Sequence, residues 1–86
     1  MPTSQRAQYL LAVNYYALER YGDAAQAFET TLQIAPDLPD AYFYLGLSYL
    51  QLNHRTEART NLQRFLALES TGERADRARQ LVATLP

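Results

Sequence analysis

Side chains in this sequence recur at a step of 34 residues: Ala7 with Ala41, Leu11 with Leu45, Tyr15 with Tyr49, Leu18 with Leu52, Ala24 with Ala58, Leu32 with Leu66. Near-matches keep the same step, pairing Tyr9 with Phe43, Val13 with Leu47, Phe28 with Leu62 and Ile34 with Leu68. A fixed period of this length means two copies of one supersecondary unit, each of which buries its apolar face only by stacking on a neighbour. The constraint reaches function as well. Stacked helical units make an extended curved binding surface rather than an enclosed catalytic pocket.

Within each period the apolar residues step by three and four, which predicts helices throughout. Ala7, Leu10, Leu11, Tyr15 and Leu18 form the stripe of a first helix over residues 4–18. Gly22 and Asp23 read as punctuation before a second helix to about Ile34, with Ala24, Ala27, Phe28, Thr31 and Leu32 inside. The run Pro36-Asp37-Leu38-Pro39-Asp40 forms a turn, and Pro39 is tolerated in the first turn of a third helix that ends near Leu52. That helix turns Tyr42, Leu45, Gly46 and Tyr49 inward. Asn53 suits the left-handed residue that closes a helix, and a fourth helix runs from about Thr56 to Leu68. Ser70 and Glu73 have the spacing of a capping box at the start of a fifth helix, which reaches about Thr84. No stretch alternates with a period of two, so the fold class is all-α.

Composition narrows the functional classes. With 86 residues and no cysteine, one small domain must be held by helix packing alone, without disulfide or thiolate metal site. Seven tyrosines and three phenylalanines are ample for that core. His54 is the single histidine, and in a turn between Asn53 and Arg55 it reads as a solvated residue rather than a ligand or general base. The three glycines make no phosphate-cradling loop. These counts point away from an enzyme and imply no cofactor or metal. A net charge of −1 argues against a nucleic-acid or anionic-membrane binder. The charge is nonetheless uneven, −3 over residues 1–43 and +2 over residues 44–86. No apolar run approaches the length of a membrane span, and Met1 to Arg6 lacks the charged start and apolar stretch of a signal peptide. A cytoplasmic protein is the expectation, either whole or as a piece of a longer one.

The second unit reads Tyr42, Leu45-Gly46, Tyr49, Ala58, Leu62, and the first reads Leu11-Ala12, Tyr15, Ala24, Phe28, Pro36. This resembles the tetratricopeptide repeat, a helix–turn–helix unit carrying an aromatic, Leu-Gly, Tyr, Ala, aromatic and Pro at fixed offsets. Small residues at Ala12, Gly46, Ala24 and Ala58 let helices approach, while Tyr15, Tyr49 and Phe28 fill the gaps. The sequence departs from the pattern at Gln8, at Thr31 and Phe65 where alanine is usual, and at Ser70 in place of the closing proline. Asp76, Arg79 and Gln80 stand where the second unit has Tyr42, Leu45 and Gly46, giving the fifth helix the polar outer face of a solenoid cap. The resemblance implies a right-handed α-solenoid of one domain over residues 4–86. Its units are residues 4–37 and 38–70, with the capping helix at 71–85.

The resemblance also implies that the first helix of each unit lines a concave groove for an extended peptide or a partner helix. Its matching positions on the first helix are Arg6, Tyr9, Val13, Tyr16 and Ala17. The third helix contributes Asp40, Phe43, Leu47, Leu50 and Gln51, and the fifth Arg74, Arg77 and Leu81. Tyr9, Val13, Tyr16, Phe43, Leu47 and Leu50 would be the apolar floor, a row the core stripes do not need. Two other readings stay open: that the chain curls so that the fifth helix covers part of the row, or that a second copy covers it in a homodimer. Relatives that grip acidic chaperone tails do so with Lys, Asn, Asn, Lys and Arg. The matching positions here hold Tyr9, Val13, Tyr44, Arg74 and Ala78, so a carboxylate clamp is not expected.

Overall fold

A computed structural model describes residues 4–85. It contains five helices: α1 (Gln5–Ala17), α2 (Tyr21–Ile34), α3 (Pro39–Gln51), α4 (Arg55–Leu68) and α5 (Glu73–Thr84). They stack in chain order as α1/α2 and α3/α4 hairpins, α2 packing on α3 and α4 on α5. The stack is elongated, 41 × 24 × 19 Å. Among the described residues there is no strand, and no helix is long and apolar enough to cross a membrane. The N-terminal stretch Met1 to Thr3 and the last residue of the expected domain lie outside the described residues.

Helix ends follow local chemistry. The Ser4 hydroxyl caps α1 by accepting from the Ala7 backbone N–H at 3.0 Å. Both hairpins turn through a residue in the left-handed region, Glu19 at φ 60° and Asn53 at φ 61°. In each the next backbone N–H returns to the helix, Arg20 to the Tyr15 carbonyl at 2.9 Å and His54 to the Tyr49 carbonyl at 2.8 Å. The first turn therefore lies at Glu19, ahead of Gly22, and α2 starts two residues before Asp23. Pro39 is the first residue of α3.

The Ser70–Glu73 capping box does not form. Gly72 is the N-cap of α5 at φ 104°, and no side chain caps that helix. At that φ an L side chain is strained, so glycine sets the turn into α5 without help from a side chain. Ser70 instead offers its backbone carbonyl to the Arg79 guanidinium.

Two apolar clusters hold the stack. The first gathers Ala12, Ala24, Ala25, Ala27, Phe28, Ala41 and Leu45, joining α1, α2 and α3. The second gathers Phe43, Leu62, Phe65, Ala75 and Ala78, joining α3, α4 and α5. Close approach of α3 and α4 depends on Gly46, where an added Cβ would lie 2.8 Å from the buried Leu62 side chain. Phe65, at a position where alanine is usual, is fully buried with its ring centroid 5.0 Å from that of Phe43. Thr31 is also fully buried and donates its hydroxyl to the Ala27 carbonyl at 2.9 Å, so it adds no unsatisfied group.

The α1 stripe read from the sequence faces the other way. Leu10, Leu11 and Leu18 are 49%, 41% and 67% exposed. Tyr9, Ala12, Val13, Tyr15 and Tyr16 are the α1 residues that meet the first core cluster, so of the stripe only Tyr15 reaches it.

Candidate functional site

Along α1, Tyr9, Val13 and Tyr16 step by four and three, so one helix face carries all three. They are half-buried and pack against the first core cluster. On α3, Leu47 and Leu50 are likewise half-buried, now against the second cluster, and Leu81 of α5 packs there too. Ala17, Arg6, Gln51 and Arg77 are exposed.

Aromatic rings connect these residues across the stack. Tyr16 meets Tyr21 and Tyr44 edge-on, with ring centroids 5.5 and 5.4 Å apart. Tyr44 stacks on Phe28 at 6.1 Å and meets Phe43 edge-on at 5.4 Å. Tyr9 meets Phe28 edge-on at 6.1 Å. Such pairs add roughly 0.5–1.5 kcal/mol each beyond burial, and here they stiffen α1 against α3. Tyr44 is the residue sequence reasoning missed. It links both halves, yet was read only as a position of the carboxylate clamp. Its place three residues before Leu47 was the available signal, since that step puts both on neighbouring parts of one face.

Phe43 does not lie on the open floor. It is only 4% exposed, under α5 and beside Ala75 and Ala78. Two alanines on α5 let that helix sit close over the ring, so the part of the row nearest the C-terminal end is covered by the chain's own last helix.

Charge on this face is also partly spent internally. The Arg74 guanidinium bonds Asp40 at 2.7 Å and Glu69 at 3.0 Å, and lies over the Phe43 and Phe65 rings at 5.4 and 5.3 Å. Burial pulls its pKa down, but the hydrogen bonds and charges of Asp40 and Glu69 outweigh this and raise it. Arg74 is the one charged residue at the clamp positions, and it is bound to two acids. Ala78, another of those positions, is fully buried. Desolvation raises the pKa of Tyr9, reinforced by Asp40, and that of Tyr16, reinforced by Tyr21 and Tyr44. Both phenols are therefore neutral, uncharged donors at physiological pH.

Elsewhere the chemistry is sparse. A shallow cavity of about 310 Å³ lies between α2, α3 and α4, lined by Glu29, Tyr42, Asn61 and Arg64 among others. His54 is exposed, stacks beside Tyr49 and sits 3.9 Å from Glu57. No cluster of metal-ligating side chains is present among the described residues.

Comparison with known proteins agrees with the repeat geometry. The tetratricopeptide repeat family model matches residues 10–83. Two curated relatives, the UPF0162 proteins of Xylella fastidiosa strains 9a5c and Temecula1, are 37% and 35% identical over 65 residues. The matched part is 76% of this chain but only 23% of either relative.

Proposed function

The chain belongs to the tetratricopeptide repeat family, whose repeats generally mediate protein–protein interaction, and on that premise we propose a specific docking face. Tyr9, Val13, Tyr16, Leu47 and Leu50 bind an extended peptide or a helix of a protein partner. The domain acts as an adaptor without chemistry of its own, in keeping with a family that is typically non-catalytic. The observation that carries this reading is the half-exposed row itself, backed by the ring contacts of Tyr16, Tyr44 and Phe28. A floor stiffened in this way loses little side-chain entropy when a ligand arrives. Neutral tyrosine hydroxyls offer donors to a peptide backbone. Arg77 and Arg6, exposed and without an ion-pair partner among the described residues, supply charge at the rim. An acidic chaperone tail is a poor candidate, because Arg74 is already bound to Asp40 and Glu69.

The test is a peptide selected from a random library against the chain, followed by mapping its contacts through backbone amide shifts. Shifts centred on Tyr9, Val13, Tyr16, Leu47 and Leu50 support the groove. Shifts elsewhere, or a chain that doubles in mass through these residues and excludes peptide, reject it in favour of another face or a homodimer.

A further inference from the structure

We propose that the outward face of α1, opposite the groove, is a docking surface for an amphipathic helix that presents an aromatic residue followed directly by an acid. The 34-residue repeat provides an internal comparison. Ala41, Leu45 and Ser48 on α3 are buried and Tyr44 is half-buried, because α2 lies across them. Their counterparts on α1 are Ala7, Leu11, Asn14 and Leu10, all exposed. The same apolar surface is thus covered in one unit and bare in the other. Of the five exposed large apolar side chains among the described residues, Leu10 and Leu11 lie on this helix and Leu18 is its C-cap.

The chemistry of the occupant follows from what α2 does on α3. Phe28 stacks on Tyr44, and the next residue, Glu29, accepts a hydrogen bond from the Tyr49 hydroxyl. One repeat earlier these receptors are Leu10 and Tyr15. The Tyr15 hydroxyl has no hydrogen-bond partner among the described residues, and its ring is held beneath the Arg20 guanidinium at 4.9 Å. A hollow of about 210 Å³ between α1 and α2, lined by Gln8, Leu11, Tyr15, Asp23 and Thr30 among others, opens beside it, with the Asp23 carboxylate already paired to Arg20. An incoming helix of the α2 kind puts its aromatic ring on Leu10 and its carboxylate on the Tyr15 hydroxyl. Small residues one turn before, like Ala24 and Ala25, let it approach Leu11 and Ala7.

A second copy of this chain does not offer such a helix. The small, aromatic faces of α2 and α4 are buried inside the stack, and α5 turns Asp76, Arg79 and Gln80 outward. Nor does α1 itself offer one: its aromatic residues Tyr9, Tyr15 and Tyr16 are followed by Leu10, Tyr16 and Ala17 rather than by an acid. The occupant is therefore a helix from outside residues 4–85.

A synthetic peptide of residues 20–35 is the probe, titrated into the isotope-labelled full chain. Saturable amide shifts are expected at Leu10, Leu11, Asn14 and Tyr15. Leu11→Asp in the protein should abolish them with helicity unchanged. Tyr15→Phe in the protein, or Glu29→Gln in the peptide, should weaken binding by about tenfold, the loss of one charge-assisted hydrogen bond. Leu47→Ser should leave this binding intact, which separates the outcome from that of the groove. The proposal is overturned by the absence of saturable shifts at millimolar peptide, or by shifts centred on Tyr44 and Leu45, where peptide would be displacing α2. It is equally overturned if the chain without peptide dimerises through Leu11, because the occupant is then a second copy.

Discussion

Glu19 and Asn53 hold the same left-handed turn one repeat apart, and only Asn is suited to it. Glu19→Asn should therefore stabilise the domain by on the order of 0.5–1 kcal/mol, read as a rise in the urea midpoint at constant slope. Gly46 is the opposite case. Its missing Cβ is required by the buried Leu62 side chain 2.8 Å away, with the Ala58 carbonyl oxygen at 3.4 Å. Gly46→Ala should destabilise by about 1–3 kcal/mol and Gly46→Leu by more, by the same measurement. Tyr9 and Tyr16 give the pH dependence. Their folded pKa values lie above the ordinary value of 10.0, so the folded state retains those protons more tightly than the unfolded chain. Their contribution is complete below pH 10 and is lost as pH rises through the raised values. Unfolding titrations should show an alkaline decline that is shallower in the Tyr9→Phe and Tyr16→Phe double variant.

Most of the elements were legible from the three- and four-residue apolar steps, because those steps follow helix geometry whatever the neighbours are. Their boundaries were read less well where backbone conformation rather than side-chain pattern decides. Gly22 has the residue type of a breaker, while the turn falls at Glu19, which nothing in its own side chain announces. Comparison with Asn53 one repeat later would have found it. Ser70 and Glu73 had capping-box spacing, but Gly72 between them takes the N-cap because its φ of 104° suits only glycine. Gly72→Ala should accordingly loosen α5, seen as faster amide exchange in residues 73–84 than in α1 to α4. The candidate site was legible only in part. A helix wheel places Phe43 beside Leu47, but it cannot say that α5 will lie across one and leave the other open. Nor does it say which side of α1 faces the core, since both of its faces are apolar.

At the scale of the whole molecule, the two proposed docking surfaces share one helix, α1, and differ in how they are packed. In the row of Tyr9, Val13, Tyr16, Leu47 and Leu50 the two tyrosine rings pack against Phe28, Tyr21 and Tyr44, whereas Leu10, Leu11 and Leu18 are exposed. Arg74 ties α5 to the start of α3 through Asp40. Because its side chain and that of Asp40 remain 33% and 44% exposed, Arg74→Ala should cost no more than about 1 kcal/mol and leave groove affinity unchanged. The row of Tyr9, Val13, Tyr16, Leu47 and Leu50 is proposed to receive a protein segment. Calorimetry of a library-selected groove peptide against three chains tests it most directly: wild type, the Leu47→Ser and Leu50→Ser double variant, and Leu11→Asp, each confirmed helical by circular dichroism. Affinity should fall by about tenfold or more in the double variant and stay at the wild-type value in Leu11→Asp. Equal affinity in wild type and the double variant, or a loss confined to Leu11→Asp, would contradict it.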